Sequence, residues 1–240
     1  MRIVATILVG FVLSAWSAAT LYVDIHAMAY RAIAERLETS SRVEAEPDAG
    51  YLARVEEALS DDEILPYCSR EIARSAASIR LALLDVAYRT SDANQRHAAL
   101  SKARDTLLSG LRCYPRDGNF WLRLAMIEFA RGGATSTVQD MLKASFAMAP
   151  SEAWIIVPRI SFSARLSPSE LPGVEEVLRA DVHNLAGYGR LSDVVELYVS
   201  GGEALRAVFD NAFDTLSAER LAAIERGVVS KVAEQPKTSK

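Results

Sequence analysis

The chain has 240 residues, half of them apolar, with 12 glycines and 8 prolines, a composition that excludes a disordered or collagen-like polymer. Its 27 basic and 31 acidic residues give a net charge of −4, and no basic block is present to dock on nucleic acid. The residues after position 23 are enough for one domain, or a single extended array, with a substantial core.

Ile3 to Val23 carries no formal charge over 21 residues. A helix of about 20 residues crosses a hydrocarbon layer of roughly 30 Å, so residues 3–23 are expected to form a transmembrane anchor. Tyr22 stands where an interfacial aromatic belongs. The alternative is a cleaved signal peptide with its apolar part at Ile3 to Leu13 and a small-residue site at Ser17-Ala18-Ala19. Arg2 is a thin basic flank for a signal peptide, and apolar character resumes at Leu21-Tyr22-Val23. Either reading sends the bulk of the chain out of the cytoplasm. Arg31, Arg36 and Arg42 follow the segment and argue locally against an exported C-terminus, although long domains translocate largely regardless of such charges.

Residues 24–50 read as a helical stalk with Ile25, Met28, Ala29, Ile33 and Leu37 on one side, loosening at Thr39-Ser40-Ser41 into a linker through Glu46-Pro47-Asp48. Residues 51–234 are expected to form a helical domain, and residues 235–240 a loose polar tail. Tyr51 to Leu59 is a short amphipathic helix, and Asp61 to Pro66 a turn. Ser69 to Tyr88 carries Ile72, Ala76, Ile79, Leu83 and Val86 at helical spacing. A short polar loop leads to a second helix, Gln95 to Arg112, with Leu100, Ala103, Leu107 and Leu111 as its stripe. A loop that short makes an antiparallel hairpin. Cys68 precedes the first helix and Cys113 follows the second, so both thiols reach the same end of the hairpin. A disulfide is expected there, and with it an oxidising compartment.

Asn119 to Arg131 is a helix rich in Phe120, Trp121, Leu124, Ile127 and Phe129, broken by Gly132-Gly133. Thr135 to Met148 resumes with Val138, Met141, Leu142 and Ser145 inward, and Pro150 ends it. Ser167-Pro168-Ser169-Glu170 has the pattern of a capping box with proline at the first helical position. Val174 to Leu185, Leu191 to Val199, Glu203 to Phe213 and Ser217 to Val232 complete an all-α chain, and no long period-two alternation calls for a strand.

Within this pattern the chain resembles the tetratricopeptide repeat, a helix–turn–helix unit of about 34 residues. Trp121, Leu124 and Ala125 keep that motif's spacing of tryptophan, leucine and small residue. Thr137, Met141 and Ala144 fall where its second helix takes small, large and small, and Pro150 arrives one residue late for the closing proline. Trp154 follows Trp121 by 33 residues, and Ala103, Leu107, Gly110 and Pro115 match the closing half of a preceding unit. Glu128 replaces the motif's tyrosine, and Pro158 is expected to spoil or kink the third unit. The resemblance covers residues 95–165. It implies an irregular stack of helical hairpins in which Trp121, Leu124, Ala125, Met141, Ala144, Pro150 and Trp154 pack the repeats or line a partner groove.

Chemistry is sparse. His26, His97 and His183 are dispersed, and none has metal-ligand spacing to another histidine or cysteine. His183, in Asp181-Val182-His183-Asn184, reads as part of a solvated helix face. Glu56-Glu57, Asp61-Asp62-Glu63 and Glu175-Glu176 read as exposed faces or caps. No strand precedes Ser200-Gly201-Gly202 to make a nucleophile elbow, and no glycine-rich phosphate loop occurs. Arg89, Arg96, Arg104 and Arg112 form a basic stripe on the hairpin, read first as a solubilising face and second as an acidic-ligand surface. The expectation is therefore a non-catalytic scaffold without cofactor or metal. It is tethered in a bacterial inner membrane with its helical domain in the periplasm, and it holds protein partners in envelope assembly such as polysaccharide export or secretion. The alternatives are a glycan hydrolase or lyase of the envelope and a cytoplasm-facing adaptor of a membrane complex.

Overall fold

The computed structural model describes residues 2–42, 49–58, 68–90, 92–133, 135–166, 170 and 173–234. Among the described residues every regular element is a helix. The chain divides into two compact units, Met1–Pro115 and Arg116–Lys240.

The first unit begins with α1 (Arg2–Arg42), a single continuous helix. Its two halves follow different rules. In the upper half Ala27, Tyr30, Ala34 and Leu37 are buried, at spacings of three, four and three that define one face. In the lower half Val9, Phe11, Val12, Leu13, Trp16, Leu21 and Tyr22 are all exposed. At about 3.6 residues per turn these seven project to every side of the helix. The helix passes through Thr39-Ser40-Ser41 without loosening there, since no proline interrupts it before Pro47. Among the described residues no helix is long and apolar enough to cross a membrane. The side chains of residues 3–8, the most apolar part of the expected anchor, lie outside the described residues, as do the linker 43–48, the turn 61–66, the capping box at 167–169 and the tail 235–240.

Helix α2 (Ala49–Ala58) buries Leu52 and Val55, and the Arg36 guanidinium lies 4.5 Å over the Tyr51 ring. Helices α3 (Arg70–Thr90) and α4 (Ala93–Cys113) form the hairpin expected from the sequence, and α1 packs on α3. Asp92 starts α4 by accepting the Gln95 amide at 2.9 Å, satisfying one of the unpaired donors of the first turn. Ile72, Ala76, Ile79, Leu100, Ala103 and Leu107 form the buried seam. The two cysteines are bonded across the end of this hairpin, with 5.3 Å between their Cα atoms. The Tyr114 hydroxyl donates to the Cys68 carbonyl, and Arg70 lies 5.2 Å over the Tyr114 ring, so the same end is tied twice more.

The second unit contains α5 (Gly118–Gly132), α6 (Ser136–Met148), α7 (Ala153–Ser163), α8 (Glu175–Tyr188), α9 (Leu191–Ser200), α10 (Gly202–Phe213) and α11 (Ala218–Glu234). Helices α5 and α6 form a tight hairpin. Gly133, at φ 77°, ends α5 in a left-handed conformation that glycine adopts without cost, and Thr135 caps α6. The hairpin closes on Gly118, where an added Cβ would meet Ala149 Cβ at 2.6 Å and the Ser145 carbonyl at 2.9 Å.

Helix α7 lies at the seam of two apolar clusters. Ile155 and Phe162 join Leu122, Ala125, Val138 and Leu142, while Ile156 and Ile160 join Leu178, Val182, Val194 and Phe209. Pro158 sits inside α7, which runs unbroken from Ala153 to Ser163. Apolar contacts on both faces hold this helix through the missing amide that elsewhere ends one. Beyond it α8 packs on α10, and α9 on α10 and α11.

Candidate functional site

Two features of the second unit combine polar chemistry with unusual burial or exposure. The first is Arg159, fully buried on α7. Its Nε and Nη2 donate to the two carboxylate oxygens of Asp181, each at 2.6 Å. Nη1 donates to Ser145 Oγ at 3.0 Å, and Nη2 also to the Ala149 carbonyl at 3.2 Å. The guanidinium stands 5.5 Å from the Phe146 ring centre. One arginine thus joins α6, α7 and α8 where the two clusters meet. Burial pushes the Asp181 carboxyl above the usual carboxylate range, and hydrogen bonding and charge attraction from Arg159 pull it back. No open cleft reaches this pair in the described residues, so its chemistry is that of an internal clamp.

The second feature is a surface. Pro150 and Ser151 connect α6 to α7, and the Asn184 amide donates to the Pro150 carbonyl at 3.1 Å, pinning α8 to that turn. Between them lies a shallow cleft of about 260 Å³, with Ala153, Ile156 and Leu185 as its apolar floor. Tyr188 lines it and is 89 % exposed, while neighbouring Trp154 on α7 is 51 % exposed. Met148, at the end of α6, is exposed as well. Large aromatic and methionine side chains left open beside an apolar floor suit recognition of another chain.

The repeat-type residues separate into two groups. Leu124 and Ala125 are buried and pack α5 into the core, while Trp121, Met141 and Ala144 are half-buried. Pro150 and Trp154 are exposed. Glu128 pairs with Arg131 at 3.1 Å. His183 and His97 are exposed, and Thr215 Oγ1 lies 3.4 Å from His183 Nδ1. Of the basic stripe, Arg89 and Arg112 are exposed and Arg96 and Arg104 half-buried. Among the described residues no group of three histidine, cysteine or acidic side chains is arranged to hold a metal.

Sequence reasoning missed Arg159, Asp181 and Tyr188. A signal exists for the pair. Arg159 is the one charge in Trp154-Ile155-Ile156-Val157-Pro158-Arg159-Ile160, and Asp181 falls on the stripe of Leu178, Val182 and Leu185. A charge on an apolar stripe calls for a buried partner of opposite sign. No protein-family profile, curated protein or solved structure matches the chain.

Proposed function

We propose that this chain is a non-catalytic, membrane-tethered helical scaffold that recognises a protein partner through the α7–α8 surface of its second unit. The tether is α1, with residues 3–23 in the bilayer. The observation that carries this reading is the lower half of α1. A helix apolar on all sides finds its environment inside a large core or a membrane, and here Val9 to Tyr22 pack against no core. The polar members of the run turn inward on their own helix. Ser14 Oγ donates to the Gly10 carbonyl at 2.9 Å, Ser17 Oγ to the Leu13 carbonyl at 2.9 Å, and Thr20 Oγ1 to the Ser17 carbonyl at 3.0 Å. Hydroxyls satisfied in this way need no water, which lipid does not supply.

The Cys68–Cys113 bond supports a location on the oxidising side of that membrane, the periplasm for a bacterial inner membrane. The exposed Met148, Trp154 and Tyr188 support recognition of protein, since such side chains dominate interface energetics. The tetratricopeptide-like order of Trp121, Ala125, Met141, Ala144 and Trp154 agrees with a stack built to present such a surface. Tethering then raises the effective concentration of partners confined to the same membrane.

The test is site-specific photo-crosslinking of the full chain in its native membranes. A photo-reactive residue at Met148 or Tyr188 is expected to give one discrete heavier adduct, and one at exposed Glu225 on α11 none. Equal labelling at all three positions, or no adduct at any, contradicts the proposal.

A further inference from the structure

Among the described residues a single non-glycine backbone lies at positive φ, and it belongs to Cys68, at 39°. A residue with a Cβ enters that region against steric crowding, and such outliers persist only where the surrounding structure imposes them. Three contacts converge on this end of the α3–α4 hairpin. They are the bond to Cys113, the Tyr114 hydroxyl on the Cys68 carbonyl, and the Arg70 guanidinium over the Tyr114 ring. The next residue, Ser69, already starts α3, its carbonyl accepting the Ala73 amide at 3.0 Å. The left-handed residue is therefore set between a cross-link and a regular helix. It also lies at the surface, since Cys68 is exposed and Cys113 half-buried. Exposed or strained disulfides are the ones that exchange with thiols, whereas sheltered, relaxed ones resist exchange.

We propose that Cys68–Cys113 is a thiol-exchange site, opened by a dithiol of the CxxC oxidoreductase class and closed again by the oxidised form of that class. In opening, a thiolate of the dithiol attacks the sulfur of Cys68, the more exposed of the two residues. The S–S bond breaks, and its electron pair leaves on Cys113 Sγ, which takes up a proton. The second thiol of the reagent then attacks its own sulfur in the mixed disulfide and releases Cys68 as a thiol. Two electrons and two protons pass in all from the dithiol, which ends as a disulfide. The hairpin makes the step reversible. Its buried seam of Ile72, Ala76, Ile79, Leu100, Ala103 and Leu107 holds α3 on α4 without the bond. The Tyr114 hydroxyl keeps Cys68 beside the end of α4, where 5.3 Å between the Cα atoms suits reclosure. Opening lets Cys68 return to the ordinary backbone region and removes a cross-link spanning 45 residues, so the redox state sets how firmly the first unit holds together. This inference stands independently of the lipid tether and of the partner surface.

The experiment is reduction of the full chain by dithiothreitol in native buffer and in concentrated urea, with thiols counted by the gel shift of a maleimide polymer. The native rate is expected to lie within about tenfold of the rate in urea, because no unfolding has to precede attack. A native rate slower than that overturns the proposal. Glutathione in place of the dithiol, quenched early with iodoacetamide, is expected to leave its adduct on Cys68 and the alkyl group on Cys113 by peptide mapping. The reverse placement overturns the proposed route of attack. Tyr114→Phe, equilibrated in a glutathione redox buffer, is expected to move several-fold toward the thiols while opening at a rate within about twofold of the parent, because it lowers only the effective concentration for reclosure. An equilibrium equal to the parent's contradicts the reversible arrangement. The first two readouts use the parent chain and decide the matter even where the variant loses helix content.

Discussion

Replacing Asp181 by leucine is expected to destabilise the second unit by about 3–5 kcal/mol, read as a lowered denaturation midpoint with Trp121 and Trp154 as fluorescent probes. The change leaves the Arg159 guanidinium fully buried with only Ser145 and the Ala149 carbonyl as acceptors. A buried unpaired cation is among the largest single costs in a fold. The double variant Arg159→Met, Asp181→Leu is expected to regain most of that loss. The physical reason is already visible at Asp181, whose carboxyl is displaced upward because burial outweighs the attraction of Arg159. Replacing a buried ion pair by an apolar pair of similar volume is often neutral or stabilising. Recovery stops short of complete, because the Ser145 hydroxyl and the Ala149 carbonyl lose a partner. If the double variant is as unstable as the single one, the clamp interpretation is wrong. The pair's hydrogen bonds join α6, α7 and α8 through one guanidinium.

Removing the disulfide is the second large effect. The bond closes a sequence separation of 45 residues, and loop-closure entropy assigns such a link about 2–4 kcal/mol. Cys68→Ala with Cys113→Ala is expected to lower the stability of the first unit by that amount while leaving helix content near native at low temperature. The buried seam from Ile72 to Leu107 and the Asp92 cap remain intact. A reductant is expected to reproduce the effect in the parent chain and to do nothing in the variant. An unchanged midpoint in both would show that the hairpin stands on its apolar seam alone.

Much of this architecture is legible in the sequence because it is written locally. The stripes Ile72-Ala76-Ile79 and Leu100-Ala103-Leu107 define the two hairpin helices, and the hairpin then brings Cys68 to Cys113. Gly132-Gly133 stops α5 for the backbone reason glycine always offers. The end of α8 is less legible. The sequence pattern ends this helix at Leu185, yet it continues to Tyr188, with Leu185 and Ala186 buried. Pro158 does not end α7, since packing on both faces of the helix outweighs one absent amide. The Arg159–Asp181 pair is the least legible of all. Its partners are 22 residues apart on different helices, and no local period links them. Which of Trp121 and Trp154 faces solvent is also beyond local pattern, because both occupy similar helical positions and only the neighbouring helices decide.

The central claim is that the charge-free half of α1 lies in lipid. Trp16, 73 % exposed and within a few residues of the middle of the run, reports on it directly. With Trp121 and Trp154 changed to phenylalanine, Trp16 is the only one of the chain's 3 tryptophans left. The full chain reconstituted in vesicles should then show blue-shifted emission, strongly quenched by lipids brominated near the middle of the acyl chain and insensitive to aqueous iodide. Emission that iodide quenches and brominated lipid leaves unchanged would place Trp16 in water and contradict the tether.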